Sequence, residues 1–142
     1  MKVSFRLVPW LLLSVAIAAA QSQSTNPSSS EKDKVPVIDG GAGPCSLDLT
    51  VLGPDGKPVY AATVKVHIAY GFGGFHKLDL QAGTNQDGKV RFTGLPDRVK
   101  RPPLEFHASK DALEAIVTDD PTTECQAKHE VRLEKPSAGA TQ

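Results

Sequence analysis

Four histidines, two cysteines and two phenylalanines set in a glycine run are the side chains of this 142-residue chain whose types invite chemistry. Neutral imidazole is the commonest protein ligand for transition metals, so His67, His76, His107 and His129 raise the question of a metal centre. Their spacing does not favour one, because no HxH or HxxxH pair places two ligands on one element. Surface histidines are the plainer reading for His67 and His107, whose strand positions point outward and which would meet if their strands are neighbours. His129 has inward parity, and a buried imidazole is ordinarily neutral and satisfied by a backbone carbonyl. Asn85, Asp87 and Gly88 resemble a fragment of a calcium loop, but the downstream bidentate Glu is missing and a tight hairpin is the sounder reading. The Ser and Thr side chains near a His and an Asp sit on solvent-facing strand positions, with nothing to pair a nucleophile with an oriented base. The expectation is therefore a chain that is not an enzyme and has no cofactor and no metal.

The run Gly71-Phe72-Gly73-Gly74-Phe75-His76 offers a different chemistry. Two aromatic rings in a glycine loop at the end of a strand pair present an apolar or stacking contact to a ligand or partner. The competing reading is that one or both rings fold back over the core, where most aromatic side chains reside. Phe72, Phe75 and His76, together with Tyr60, make up the candidate ligand or partner surface. The neighbouring Arg98-Val99-Lys100-Arg101 reads as a small solvated basic cluster.

These groups need a scaffold, and the first part of the chain does not supply it. Lys2 and Arg6 precede an apolar run from Leu7 to Ala20 that closes on Ala18-Ala19-Ala20, the small-residue pattern of a signal peptidase site. The run is shorter than the ~20 residues that span a bilayer, so a cleaved signal peptide (1–20, cut after Ala20) is expected over an anchor. Residues 21–44 are rich in Ser, Gln, Pro and Gly and read as a flexible linker, as does the tail 135–142. The 16 basic and 16 acidic side chains balance, which removes the nonspecific attraction that would argue for nucleic acid. Losing the leader would leave no Trp, so stacking platforms built on indole are absent from the exported form.

Residues 45–134 alternate apolar with polar side chains. Leu47, Leu49 and Val51 share one face of a first strand, and Ala62, Val64, Val66, Ile68 and Tyr70 share one face of a second. Leu78 and Leu80, then Val90 and Phe92, then Leu104, Phe106 and Ala108 continue the pattern. DALEAIV, within 110–117, is ambiguous between helix and strand, and a loop with a short strand is expected there. The last strand is the clearest, with Cys125, Ala127, His129, Val131 and Leu133 on one face. Seven short strands with a turn roughly every ten residues predict an all-β fold, a single antiparallel two-sheet sandwich. Cys45 opens the first strand and Cys125 the last, both with inward parity. In an exported chain an even cysteine count reads as one disulfide, against the alternatives of two inert thiols or half a metal site, and no CxxC spacing supports zinc.

The order LDLTVLGPDGKPVYAATVKV … TNQDGKVRFTGLP resembles the carboxypeptidase regulatory-like domain, a transthyretin-like (prealbumin-like) sandwich of secreted bacterial proteins. The likeness is carried by Gly56-Lys57-Pro58-Val59 before Ala62-Thr63-Val64, by Thr84, by Asp87-Gly88-Lys89-Val90-Arg91-Phe92, and by Gly94-Leu95-Pro96, over about residues 46–108. These are positions of the fold, and the resemblance implies an accessory domain with no catalytic half. Two related sandwiches carry chemistry. Hydroxyisourate hydrolases end in Tyr-Arg-Gly-Ser, where this chain has Val131-Arg132-Leu133-Glu134, so a hydrolase is a remote alternative. Intradiol dioxygenases hold iron with two Tyr and two His, and their motif spacing is missing here.

The resulting expectation is a secreted or periplasmic, non-enzymatic binding or structural module of the cell envelope, with an envelope protein or a glycan as partner. Carbohydrate binding through a starch-binding-like sandwich is the alternative, weakened by the missing Trp. Neither nucleic acid nor stable membrane insertion after signal cleavage is expected.

Overall fold

The computed structural model describes residues 33–137. The signal peptide and its cleavage after Ala20, most of the linker and the end of the tail lie outside the described residues. Alternation makes strands here because β-branched and aromatic side chains fit a pleated surface with one buried face. Eight strands result: β1 (Val37–Asp39), β2 (Cys45–Leu52), β3 (Thr63–Tyr70), β4 (His76–Gly83), β5 (Lys89–Leu95), β6 (Leu104–Lys110), β7 (Leu113–Asp119) and β8 (Gln126–Arg132). They form two four-stranded sheets, ordered β1-β5-β2-β8 and β4-β3-β6-β7.

The all-β two-sheet sandwich is as the alternation predicts, with three differences. Val37–Asp39, placed in the flexible linker by composition, is a strand that pairs parallel with β5 across Val37–Arg91 and Asp39–Thr93. Backbone bonds from Arg91 N to Pro36 O and from Gly40 N to Thr93 O fix it, so the linker is ordered at least from Asp33. The LEAIV of this stretch lies in a full seven-residue strand, Leu113–Asp119, because pairing with β6 from Leu104–Asp119 to Lys110–Leu113 overrides its helix propensity, while Asp111 and Ala112 form the turn before it. The first sheet is mixed rather than antiparallel, since β8 runs parallel to β2 from Ser46–Gln126 to Leu52–Arg132.

The core lies between the sheets and contains Leu47, Leu49, Val51, Val64, Ile68, Val90, Phe92 and Phe106, all fully buried. Phe92 and Phe106 meet edge to face with ring centres 5.3 Å apart, which locks the two sheets at mid-height. Cys45 and Cys125 form a disulfide, with Cα atoms 4.5 Å apart, at the start of the parallel β2–β8 pair.

Asn85–Gly88 forms the expected turn but not a hairpin, because β4 and β5 belong to opposite sheets. Buried polar groups make this corner. Thr84 Oγ1 donates to Val59 O (2.6 Å) and accepts from Ala62 N (2.9 Å), while Asn85 Oδ1 accepts from Asp87 N and Lys89 N. Gly88 sits at φ +70°, and a β-carbon there would collide with Val51 O, so the chain needs glycine at this point.

Following strand directions gives the sandwich two unlike poles. At one pole lie Asp33, Tyr60, the 84–88 corner and Glu134, so the described chain enters and leaves there. The opposite pole carries the disulfide, the β3–β4 loop and the β5–β6 connection.

Candidate functional site

The pole away from the chain ends is built from the β3–β4 connection. Tyr70 and His76 close the ladder, their ring centres 5.3 Å apart, and Phe72–Gly74 makes a single 3-10 turn between them. The turn is held by Gly74 N donating to Gly71 O at 3.0 Å and is braced from the β5–β6 connection. Lys100 N donates to Ala69 O, extending the ladder beyond β6, and Lys100 Nζ donates to Gly73 O at 2.7 Å. The Lys100 stem lies against Gly74, which has φ +72°, and occupies the space a β-carbon would need.

The two phenylalanines project from this braced turn into solvent. Phe72 is 94% exposed and Phe75 is 81% exposed, so neither folds back over the core. The connection is too short to turn the rings inward, because the strands that flank it are paired right up to Tyr70 and His76. Arg98, Lys100, Arg101 and Lys77 surround the pair and are all exposed. A groove of about 630 Å³ runs from the loop down the open face of the second sheet, lined by His67, Lys77, Lys100, Arg101, Glu105 and His107. The pole combines apolar tips with a cationic collar.

Tyr60 does not belong to this surface. It precedes β3 at the opposite pole, whereas Phe72, Phe75 and His76 follow it. The same separation bears on iron chemistry: Tyr60 and Tyr70 bracket an eight-residue strand, which at ~3.3 Å per residue holds them more than about 20 Å apart. The two tyrosines of this domain cannot share one metal ion.

The histidines divide as their parity implies. His67 and His107 are on neighbouring strands and both face solvent, but His107 pairs in register with Lys65, leaving the two imidazoles diagonal to each other. His67 Nδ1 meets Asp79 Oδ1, and His107 Nε2 lies 3.7 Å from Glu105 Oε2. Among the described residues, no group of three His, Cys, Asp or Glu side chains is placed to hold a metal. His129 is half-buried, and its partner is a carboxylate instead of the expected backbone carbonyl: Nε2 lies 3.0 Å from Asp119 Oδ1 across the two sheets. Asp119 is buried at the end of β7, and loss of hydration holds its pKa above the usual carboxylate value despite the opposing pull of His129. Asp119 was not singled out by the sequence, where it sits in an acidic turn, Thr118-Asp119-Asp120-Pro121. Another polar pair, Arg91 and Asp48, lies on the outer face of the first sheet with bonds to both carboxylate oxygens.

No protein-family model matches the chain. No curated protein matches it either. Solved structures with a similar backbone include catechol 1,2-dioxygenase from Pseudomonas arvilla C-1, at 16% identity over 78% of this chain and 62% of that one, with a TM-score of 0.48. Hydroxyquinol 1,2-dioxygenase from Pseudomonas putida DLL-E4 is 14% identical over 72% of this chain and 63% of that one, with a TM-score of 0.46. GBS52, the minor pilin of Streptococcus agalactiae, is 15% identical over 71% of this chain and 48% of that one, with a TM-score of 0.42. This chain spans less than two-thirds of the length of each of these structures. Likenesses of this size transfer no residue roles.

Proposed function

We propose that the chain is an exported, non-enzymatic binding module of the cell envelope, a carboxypeptidase regulatory-like sandwich whose contact surface is the β3–β4 loop. The exposure of Phe72 and Phe75 on a braced turn is the observation that supports this reading. Covering a phenylalanine releases about 1.5–3 kcal/mol, so a partner that covers both gains a useful share of its binding energy from two side chains. The disulfide belongs with an oxidising compartment, in keeping with export to the periplasm or beyond.

The collar adds direction. Arg98, Lys100, Arg101 and Lys77 have one acid in their midst, Asp97, while the remaining described residues carry 14 acidic against 9 basic side chains. The loop is thus a locally positive patch on a negative body and favours an anionic partner.

The test is capture of partners from an envelope fraction together with glycan-array binding, using the exported chain and its Phe72→Ser, Phe75→Ser double variant. Loss of a wild-type partner in a variant with unchanged melting temperature supports the reading. Glycan binding abolished by the double change would instead establish the carbohydrate-binding alternative, and partners unaffected by it would remove the loop from the account.

A further inference from the structure

We infer that the anionic partner of the β3–β4 loop is a lipid surface: Phe72 and Phe75 enter the headgroup region of a bilayer while the surrounding cations rest on its acidic headgroups. The inference rests on the loop being the binding surface and specifies what it binds.

Shape carries the first step. The rings stand out from the loop at 94% and 81% exposure, and the groove beside Phe72 is floored by Gly71, Gly73, Val99 and Lys100 with no enclosing wall. A projecting apolar tip suits a soft interface that deforms around it, whereas a small ligand is held by concavity.

Charge carries the second. Interfacial segments pair apolar side chains with Lys and Arg, and each cation near an acidic leaflet adds attraction. Here the cations flank the tip with Asp97 among them, Asp79 beside His67 and Glu105 beside His107 lie lower on the sheet, and Asp39, Asp119, Asp120 and Glu124 lie at the same pole on the ends of other strands.

Placement carries the third. Asp33 and Glu134 both lie at the opposite pole, so the described chain enters and leaves away from the tip. Bracing by Lys100 keeps the rings presented before contact, which lowers the ordering cost of docking. The contact is peripheral and reversible, and among the described residues no helix is long and apolar enough to span a membrane.

Lipid vesicles provide the test. The exported, processed chain is mixed with vesicles of phosphatidylcholine alone or with one-third phosphatidylglycerol, and bound protein is measured by flotation. Binding to the acidic vesicles, weakened by salt and at least tenfold by Phe72→Ser with Phe75→Ser, is expected. Arg98→Gln and Arg101→Gln spare the Lys100 brace and should each weaken binding about fivefold, the equivalent of ~1 kcal/mol per cation. Ile116→Ser, which removes an exposed apolar side chain from β7, should change nothing. Phe75→Trp places an indole at the tip, whose emission should shift to the blue on acidic vesicles only. Absence of vesicle binding, while an envelope protein or glycan is still captured through Phe72 and Phe75, overturns the lipid inference and leaves the binding reading standing. Absence of both overturns the two together, whereas vesicle binding indifferent to the double serine change overturns the lipid inference alone.

Discussion

Removing the Cys45–Cys125 bridge should cost the domain a large share of its margin of stability. The bond joins residues 80 apart in sequence, so in the unfolded chain it closes a loop of about 81 residues. The chain-entropy relation assigns such a loop about 4.5 kcal/mol at 25 °C. In the folded state the bridge adds little, because β2 and β8 are already paired along their whole length and Ser46 N donates to Cys125 O at 2.8 Å. The effect therefore resides in the unfolded ensemble. Cys45→Ala with Cys125→Ser matches the burial of the first position and the partial exposure of the second. Urea unfolding followed by circular dichroism should show a loss of about 3–4.5 kcal/mol, with a steeper denaturant dependence because the unlinked chain exposes more surface. With ~2.1 cal/mol/K of unfolding entropy per residue over the described domain, the melting temperature should fall by about 14–20 °C. A loss below about 1 kcal/mol with unchanged steepness would refute the entropic account, since it would mean the unfolded chain gains little freedom from losing the link.

Two further changes probe the interior. Phe92→Ala removes one ring of the pair that joins the sheets and should cost ~3–5 kcal/mol in the same unfolding assay; a smaller loss would mean the sheets close around the gap. Asp119→Asn tests the buried carboxylate through pH. A folded pKa above the unfolded one means stability from this group is full at low pH and declines as pH rises through the folded value. The asparagine variant should lose that decline and gain on the wild type between pH 4 and 7; parallel pH profiles would show that Asp119 carries no such penalty.

What could be read from the chain and what could not divide along a physical line. Alternation is a local property, so the faces of β2, β3 and β8, the inward Phe92 and the two terminal cysteines were legible. Which strands are neighbours depends on contacts between distant segments, and this is where the antiparallel expectation missed the parallel β2–β8 pair. The strand Val37–Asp39 was hidden because its flanking Pro, Gly and Ser residues dominate the composition; its order comes from β5 and from Asn85 Nδ2 donating to Asp33 O. A β-branched Val-Ile pair bounded by Pro36 and Gly40 was the available signal. Leu113–Asp119 was ambiguous because its helix formers lose to pairing with β6, a choice aided by Asp111 at φ 53° in the turn between them. At the candidate surface, residue type and context single out Phe72 and Phe75 but favour rings folded back over the core; their exposure follows from how tightly Tyr70 and His76 close the ladder. Tyr60 was grouped with them on residue type alone. Asp119 was missed because its contact with His129 crosses between sheets.

The arrangement of the chain ends also governs how the module answers to force. Tension applied through the linker and tail enters at one pole and peels β1 from β5 and β8 from β2, breaking hydrogen bonds one after another instead of shearing them together. Peeling of β8 stops at Cys125, which is bonded to Cys45 at the far pole, and from there the load passes through the disulfide. The 24 described residues outside the bridge, 33–44 and 126–137, can then extend by no more than about 85 Å, while the residues between the cysteines carry no tension. Oxidised, the module is a short extensible link with a shielded body; reduced, the same pull would unravel it from end to end.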